Sequence, residues 1–185
     1  DVDGLQAMQA YQDVRRDLET AMRTRAGVLW NGATPGGVFP TGDQFGMGPL
    51  RANDMANDVT DSARSGTYSF RKNLSGGAWR GLFSYTVPVD FIHGFLGFLI
   101  SDDVLRILQF RMQLGQSLFP IIDVQEAQRY DRFAIIFKAD KGKELIADPK
   151  TAVTINGYLE SSGFQRVVPL GINIYRRPDV VITQT

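Results

Sequence analysis

The chain has 185 residues, of which 43% are apolar, enough for a single domain with a hydrophobic core. Its 20 basic and 20 acidic side chains cancel, which argues against a dedicated binder of nucleic acid or another polyanion. The absence of cysteine excludes disulfides, thiolate metal ligands and a cysteine nucleophile. The longest apolar stretch, residues 87–100, is shorter than the roughly 18 residues of a membrane helix and is interpreted as core.

Residues 1–30 are predicted to form an N-terminal helix followed by a short strand. Asp3 can cap the start of the helix and Gly27 can end it. Apolar side chains recur every three or four residues, as in an amphipathic helix, at Leu5, Met8, Tyr11, Val14, Leu18 and Met22.

Residues 31–51 hold six glycines and three prolines, too many for a regular element, and are predicted to form an arm or loop. The segment also carries Phe39, Phe45 and Met47, which a free solvated linker rarely does. Ordering such a chain costs about 1–2 kcal/mol per residue, so contacts must offset that cost. Three interpretations stay open: a loop over its own core, an arm docked on a neighbouring subunit, or a substrate lid.

Residues 52–185 are predicted to form the core of one α+β domain, with a mostly antiparallel sheet and one or two packed helices. A short helix is expected after residue 52. Aromatic and polar residues alternate around the Ser-Gly-Gly turn at 75–77, which predicts a β-hairpin over residues 67–87.

The second half of the core is predicted to contain one further helix among strands. Residues 101–115 indicate a short helix running into a strand, and 118–124 and 132–140 indicate strands. Residues 148–164 are predicted to be helical, with Asp148 at the cap, Pro149 in the first turn and Gly163 at the stop. Residues 165–185 indicate two or three strands.

Asp54, Asp58 and Asp61 would stack on one face of the short helix. Like charges at this spacing destabilise a helix by a few tenths of a kcal/mol unless they are neutralised. The alternating acids, glycine and distal glutamate of a calcium loop are absent. A solvated helix face is therefore preferred over a cation site or a polar contact with another subunit.

No catalytic, cofactor-binding or metal site is predicted. His93 is the only histidine and lies in an apolar run, which indicates a packed side chain with one hydrogen bond. Ser69 and Lys72 match a Ser-x-x-Lys pattern, but in a strand they would point to opposite faces. A hydrolase acting through carboxylates alone could draw a pair from Asp90, Asp102, Asp103, Asp123 and Glu126, although the sequence selects no pair.

The leading hypothesis is a structural subunit of a larger assembly, such as a virion, a phage tail or a bacterial envelope machine, and not an enzyme. Its partners would be copies of itself or other subunits, and the tail, residues 178–185, could add a strand to a neighbouring sheet. The predicted interface residues are Phe39, Phe45, Met47, Tyr68, Phe70, Trp79, Val180 and Ile182. The hypothesis expects Phe39, Phe45 and Met47 to be exposed in the isolated chain.

A binding module for nucleic acid, peptide or glycan is the alternative of another class. It would use the aromatic side chains of the hairpin together with Arg71, Lys72 and Arg80. Nucleic acid itself is not expected as a partner, because the overall charge is balanced. An extracytoplasmic or virion location would fit the leading hypothesis.

Overall fold

The protein is described by a computed structural model for residues 2–30, 45–55, 69–100, 106–124, 134–137 and 145–176. Within these ranges the chain forms one α-helix, α1 (Val2–Trp30), a 3-10 turn at Ala52–Asp54, and eleven strands. The strands are β1 (Phe45–Pro49), β2 (Phe70–Leu74), β3 (Ala78–Thr86), β4 (Phe91–Ile100), β5 (Ile107–Leu114), β6 (Ser117–Leu118), β7 (Ile122–Asp123), β8 (Ala134–Ile136), β9 (Ile146–Ala147), β10 (Ala152–Leu159) and β11 (Gly163–Arg176).

The strands form two sheets, A and B, and within each sheet all paired strands are antiparallel. Sheet A has the order β1-β11-β4-β8, with β2 also on β11 and β9 also on β4. Sheet B has the order β3-β10-β5-β6, with β7 also on β5. The prediction of an α+β fold with mostly antiparallel strands is confirmed, although the strands form two sheets where one was predicted, and strands predominate over helix.

Helix α1 packs on one face of sheet A and buries its apolar stripe there. Leu18, Met22 and Ala26 share a cluster with Ile92 of β4 and Ile174 of β11. The predicted amphipathic helix is therefore confirmed. The predicted stop at Gly27 and the short strand after it are wrong, because α1 continues to Trp30. Trp30 packs against the same cluster, which offsets the roughly 1 kcal/mol that a glycine costs inside a helix.

The main core lies between the two sheets. Phe98 of β4 stacks on Phe83 of β3 and on Phe110 of β5, with ring centroids 6.2 and 5.0 Å apart. These three rings belong to the larger of two buried clusters, which draws on both sheets. The molecule thus has three layers: α1, sheet A and sheet B. Among the described residues, no helix is long and apolar enough to span a bilayer.

The predicted hairpin over residues 67–87 is wrong. Strand β2 pairs with β11 in sheet A, whereas β3 pairs with β10 in sheet B. The Ser-Gly-Gly segment instead carries the chain from one sheet to the other. Gly77 has a φ of +72°, and a β-carbon on Gly76 would lie 2.6 Å from the backbone carbon of Ser161. Both positions therefore favour glycine, for reasons unrelated to a hairpin turn.

The predicted helix at residues 148–164 is also wrong, because residues 152–159 form β10. Its buried residues alternate, at Val153, Ile155 and Leu159, and fill the core between the sheets. Asp148 and Pro149 lead into a turn at Lys150, whose φ is +64°, and do not cap a helix. Pairing of β10 with both β3 and β5 outweighs the local helix signals.

Of the two or three strands predicted for residues 165–185, the described part, residues 165–176, lies in one strand of 14 residues, β11, and residues 177–185 lie outside the described ranges. Pro169 is tolerated inside β11 because it lies between the segment that pairs with β2, which ends at Val167, and the segment that pairs with β1, which starts at Ile172. The predicted strand in 101–115 is confirmed as β5, and its helical part lies outside the described residues.

The strand predicted at 118–124 is replaced by two short strands, β6, which begins one residue earlier, and β7. The strand predicted at 132–140 is confirmed as β8 but is shorter than predicted. Residues 45–49 of the Gly/Pro-rich segment form β1, so the prediction of no regular element is wrong there. Residues 31–44 lie outside the described ranges. The end of the segment is ordered by pairing with β11, which supplies the contacts that its glycines require.

Candidate binding face

The candidate site is the outer face of sheet B, opposite the core. Strand pairing aligns its outward side chains in three rows across the sheet. The first row is Trp79, Tyr158, Gln109 and Asp123; the second is Gly81, Asn156 and Arg111; the third is Ser84, Thr154, Gln113 and Leu118. We call this set of residues the outer face. Its side chains are half-buried or exposed, and α1 packs on the other sheet.

Local sequence explains why these residues point outward. In β10 the residues Thr154, Asn156 and Tyr158 alternate with the buried residues of the core, as the period of two in a strand requires. In β3 the register shifts between Ile155 and Asn156 of its partner, so Leu82 is an extra, bulged residue. The bulge keeps both Trp79 and Ser84 on the outer face.

Trp79, Arg111 and Tyr158 form a compact cluster in the outer face. The ring centroids of Trp79 and Tyr158 are 5.7 Å apart in an edge-to-face arrangement. The guanidinium carbon of Arg111 lies 4.8 Å from the centroid of the Trp79 ring, within the range of a cation–π contact. The three side chains come from three different strands and hold one another in place. We call them the Trp79 cluster.

Polar side chains surround the Trp79 cluster. The Gln109 amide donates a hydrogen bond of 3.4 Å to the Asp123 carboxylate. A β-carbon at Gly81 would meet only the Asn156 Oδ1 atom, at 3.8 Å, so the sheet is open at this position. The outer face therefore combines two aromatic rings, one guanidinium, several amides, one carboxylate and a glycine position with room for a side chain. Such a surface can bury an apolar group and hydrogen-bond a polar one.

The described members of the predicted interface set do not lie together in the structure. Phe45 and Phe70 are only 5% and 6% exposed and lie in the chain's own cores. The expectation that Phe45 is exposed in the isolated chain is therefore wrong, because β1 is incorporated into sheet A. Met47 is half-buried beside the same cluster, and Trp79 lies in the outer face. Phe39, Tyr68, Val180 and Ile182 lie outside the described residues.

The acidic residues form no evident reaction centre in the described ranges. Asp90 lies in the turn before β4 and Asp123 lies in β7, whereas Asp58, Asp61, Asp102, Asp103 and Glu126 fall outside those ranges. Asp54 accepts a hydrogen bond of 2.9 Å from the Arg51 backbone N–H, a local capping contact. No group of three possible metal ligands occurs in the described part of the chain.

His93 is packed between the sheets, and the prediction of a buried histidine with one hydrogen bond is confirmed. Its Nδ1 atom lies 2.8 Å from the Tyr85 hydroxyl. Burial lowers the pKa of His93 to about 4, and burial followed by the charge of Asp54 raises the pKa of Tyr85. Both groups are therefore neutral near pH 7, and their arrangement is structural.

Nε2 of His93 and Oδ1 of Asn173 are both buried and have no hydrogen-bond partner among the described residues. The two residues are direct neighbours across β4 and β11. Buried polar atoms of this kind are commonly joined by an internal water molecule. The pair thus marks a polar position in an otherwise apolar interior.

Comparison with protein-family models, with curated proteins and with solved structures finds no match for this chain. Sequence reasoning identified Trp79 but missed Arg111, Tyr158, Gln109 and Asn156. The signal that could have found Tyr158 and Asn156 is the alternation of apolar and polar residues in β10, which the apparent helix cap at Asp148 obscured.

Proposed function

We propose that the chain is a structural subunit of a multi-subunit assembly and that the outer face of sheet B is one of its protein–protein contacts. The observation that carries the proposal is the Trp79 cluster on an open sheet face. Tryptophan, tyrosine and arginine are the residues that most often dominate binding energy at protein interfaces. Here the three types occur in mutual contact.

The cluster is also preorganised. Arg111 already lies over Trp79, and Tyr158 already meets its ring edge to face. Binding would therefore immobilise fewer rotatable bonds than it would for isolated side chains, each of which costs about 0.5–1.5 kcal/mol to order. The fold itself does not explain the arrangement, because the core lies on the opposite side of the sheet.

The composition of the outer face supports a protein partner. Its three rows contain no lysine and no glutamate, two residues that are depleted at interfaces. The outer face includes Leu118, which is 63% exposed. Amide side chains beside the cluster can hydrogen-bond to backbone groups of a partner. An aromatic centre surrounded mainly by amide and hydroxyl side chains, with Arg111 and Asp123 as the charged members of the three rows, fits such a contact.

Glycan binding at the same face is the second candidate. The observation that favours it is the open position at Gly81 beside Trp79 and the amides of Asn156 and Gln109. An aromatic ring next to amide donors and acceptors can stack on a sugar and bind its hydroxyl groups. Both candidates use the Trp79 cluster, and they differ in the partner.

The test combines light scattering on the purified chain over a range of concentrations with footprinting of exposed aromatic side chains. We expect a defined oligomer, with Trp79 more protected in the oligomer than in the dilute chain. Trp79→Ala should weaken the oligomer. Phe164→Ala is the matched control, because Phe164 is 42% exposed on the other sheet. A monomer at every concentration that binds an oligosaccharide through Trp79 would overturn the proposal in favour of glycan binding.

A further inference from the structure

The edges of the two sheets differ in how they are closed. In sheet A, β11 is flanked by β1 and β2, each of five residues, and β4 by the shorter β8 and β9. In sheet B, β5 is flanked by β6 and β7, of two residues each. Strand β3 is the exception: it has nine residues, and no described strand pairs with its second side.

A long free edge is unusual because its unpaired N–H and C=O groups can recruit another strand. Native proteins block such edges with short strands, proline, lysine or bulges. Strand β3 contains no proline, lysine or acidic residue, and Arg80 is its only charged residue. The bulge at Leu82 interrupts it once and leaves Phe83–Thr86 as a regular run. No described strand therefore occupies the edge over that run.

We propose that β3 pairs antiparallel with β3 of a second copy of the chain, so that sheet B continues from one subunit into the next. The inference rests on the proposed assembly function and names one of its contacts. Antiparallel pairing of identical strands creates a two-fold axis perpendicular to the sheet, and two-fold dimers are the commonest symmetric oligomers.

Backbone directions identify the groups that make the pairing. The N–H of Val87 donates to the carbonyl of Thr151, on the β10 side of the strand. Because backbone groups alternate along a strand, those of Tyr85 also face β10, whereas those of Ser84 and Thr86 face the free edge. A register centred on Tyr85 sets Ser84 opposite Thr86 of the partner subunit. In that register their N–H and C=O groups exchange hydrogen bonds, and their hydroxyl side chains are neighbours.

Charge complementarity favours a second copy as the occupant. Antiparallel pairing places the start of one β3 strand beside the end of the other. Arg80 lies near the start of β3, Asp90 lies just after its end, and both are exposed. The two-fold arrangement therefore brings Arg80 of each subunit into the neighbourhood of Asp90 of the partner subunit. A partner strand without this pattern would lack the matched charges.

The pairing has a geometric consequence for the outer face. A two-fold axis perpendicular to the sheet leaves both outer faces on the same side of the dimer. The two Trp79 clusters then lie in one continuous surface. A partner that offers two matching patches would gain from simultaneous contact with both, since the second contact is intramolecular.

Amide hydrogen exchange followed by NMR tests the proposal and contains its own control. We expect the N–H groups of Ser84 and Thr86 to be protected at high protein concentration and to exchange rapidly on dilution. The N–H of Tyr85, which faces β10, should be protected at both concentrations. Equal exchange of Ser84 and Thr86 at all concentrations, in a chain that still oligomerises, would overturn the β3 pairing and leave the assembly function standing.

A second test uses Ser84→Pro, which removes an N–H from the free edge without touching the β10 side. We expect the dimer dissociation constant to rise by about tenfold or more, since each copy loses hydrogen bonds. Ser84→Ala is the matched control: it keeps the backbone N–H and removes only the hydroxyl that neighbours Thr86 of the partner subunit, so it should weaken the dimer less than Ser84→Pro does. Unchanged dimerisation of a folded Ser84→Pro variant would overturn the proposal. A monomeric unaltered chain would also overturn the β3 pairing and would leave only an assembly with other subunits.

Discussion

The Tyr85 hydroxyl and the His93 Nδ1 atom lie 2.8 Å apart and form a buried polar link between the two sheets. Tyr85 belongs to β3 of sheet B and His93 to β4 of sheet A, and the imidazole is completely buried. The phenol keeps its proton because burial raises the pKa of Tyr85, and its O–H can donate a hydrogen bond to the neutral imidazole. The charge state of His93 is thereby coupled to the contact between the sheets.

Stability should fall on acidification because of His93. The pKa of an unfolded histidine is about 6.5, whereas burial lowers that of His93 to about 4. Between these values the unfolded chain binds a proton that the folded chain does not, so acid favours unfolding. The contribution is fully present above pH 6.5 and is lost as the pH falls to 4, an effect on the order of 3 kcal/mol. Urea unfolding at pH 7, 5.5 and 4 measures it.

His93→Gln supplies the control for this pH dependence. Glutamine does not titrate, so the variant should be less stable at pH 7 but should lose less stability on acidification than the unaltered chain. Carboxylates titrate in both proteins, so their contributions to the loss of stability cancel in the comparison. An identical loss of stability in both would show that His93 does not carry the effect.

Gly94→Ala should loosen the packing of α1 on sheet A. A β-carbon at Gly94 would lie 2.2 Å from the Met22 sulfur and 3.1 Å from a Leu18 methyl carbon. Overpacking of this kind costs about 1–3 kcal/mol. Gly48→Ala is the matched control, because a β-carbon there meets nothing within 4 Å. Equal free energies of unfolding for the two variants would contradict the tight helix–sheet contact.

Lys150→Gly should stabilise the protein. Lys150 has a φ of +64°, a left-handed conformation that disfavours residues with a β-carbon. Glycine removes that strain, at the cost of greater freedom in the unfolded chain, for a net gain of about 0.5–1 kcal/mol. Lys150→Ala retains the β-carbon and should give no gain. A glycine variant no more stable than the alanine variant in urea would refute the strained turn.

Arg25→Gln should have a small, salt-dependent effect. The Arg25 guanidinium donates to both oxygens of Asp148, one of them at 2.9 Å, and so ties α1 to the turn before β10. This hydrogen bonding raises the pKa of Arg25. Because the guanidinium side chain is 52% exposed, the pair contributes on the order of 0.2–1 kcal/mol. Arg15→Gln, an exposed position on the same helix, is the control, and a destabilisation that persists at high salt would argue against an ionic tie.

The local sequence pattern was sufficient to predict an element that makes its contacts through one continuous face. The stripe of α1 and the alternation of β5 were both predictable, because each encodes a single buried side. The partners of β2 and β3 were not, since alternation reports which face is buried and says nothing about which distant strand lies alongside. At residues 148–164, cap-like residues outside a strand were mistaken for helix signals.

The candidate site was likewise only partly predictable from the sequence. Trp79 stands out in the sequence as a large aromatic among polar residues. Its neighbours Tyr158 and Arg111 are far along the chain and come into contact with it only through the register of β10 with β3 and β5. The register of β10 with β3 includes the bulge at Leu82, which shifts the pairing between Trp79 and Ser84. The cluster is therefore a product of long-range pairing.

The position of β11 in sheet A has a consequence for how the protein folds during synthesis. Residues 163–176 are the shared partner of β1, β2 and β4, the first of which is more than 100 residues earlier in the chain. None of these strands can complete its pairing until residue 176 has emerged from the ribosome. Until then, α1 has no finished sheet on which to bury Leu18 and Met22. The apolar stripe of α1 therefore stays without its sheet until β11 has been synthesised, and folding should be slow and helped by chaperones that hold such surfaces.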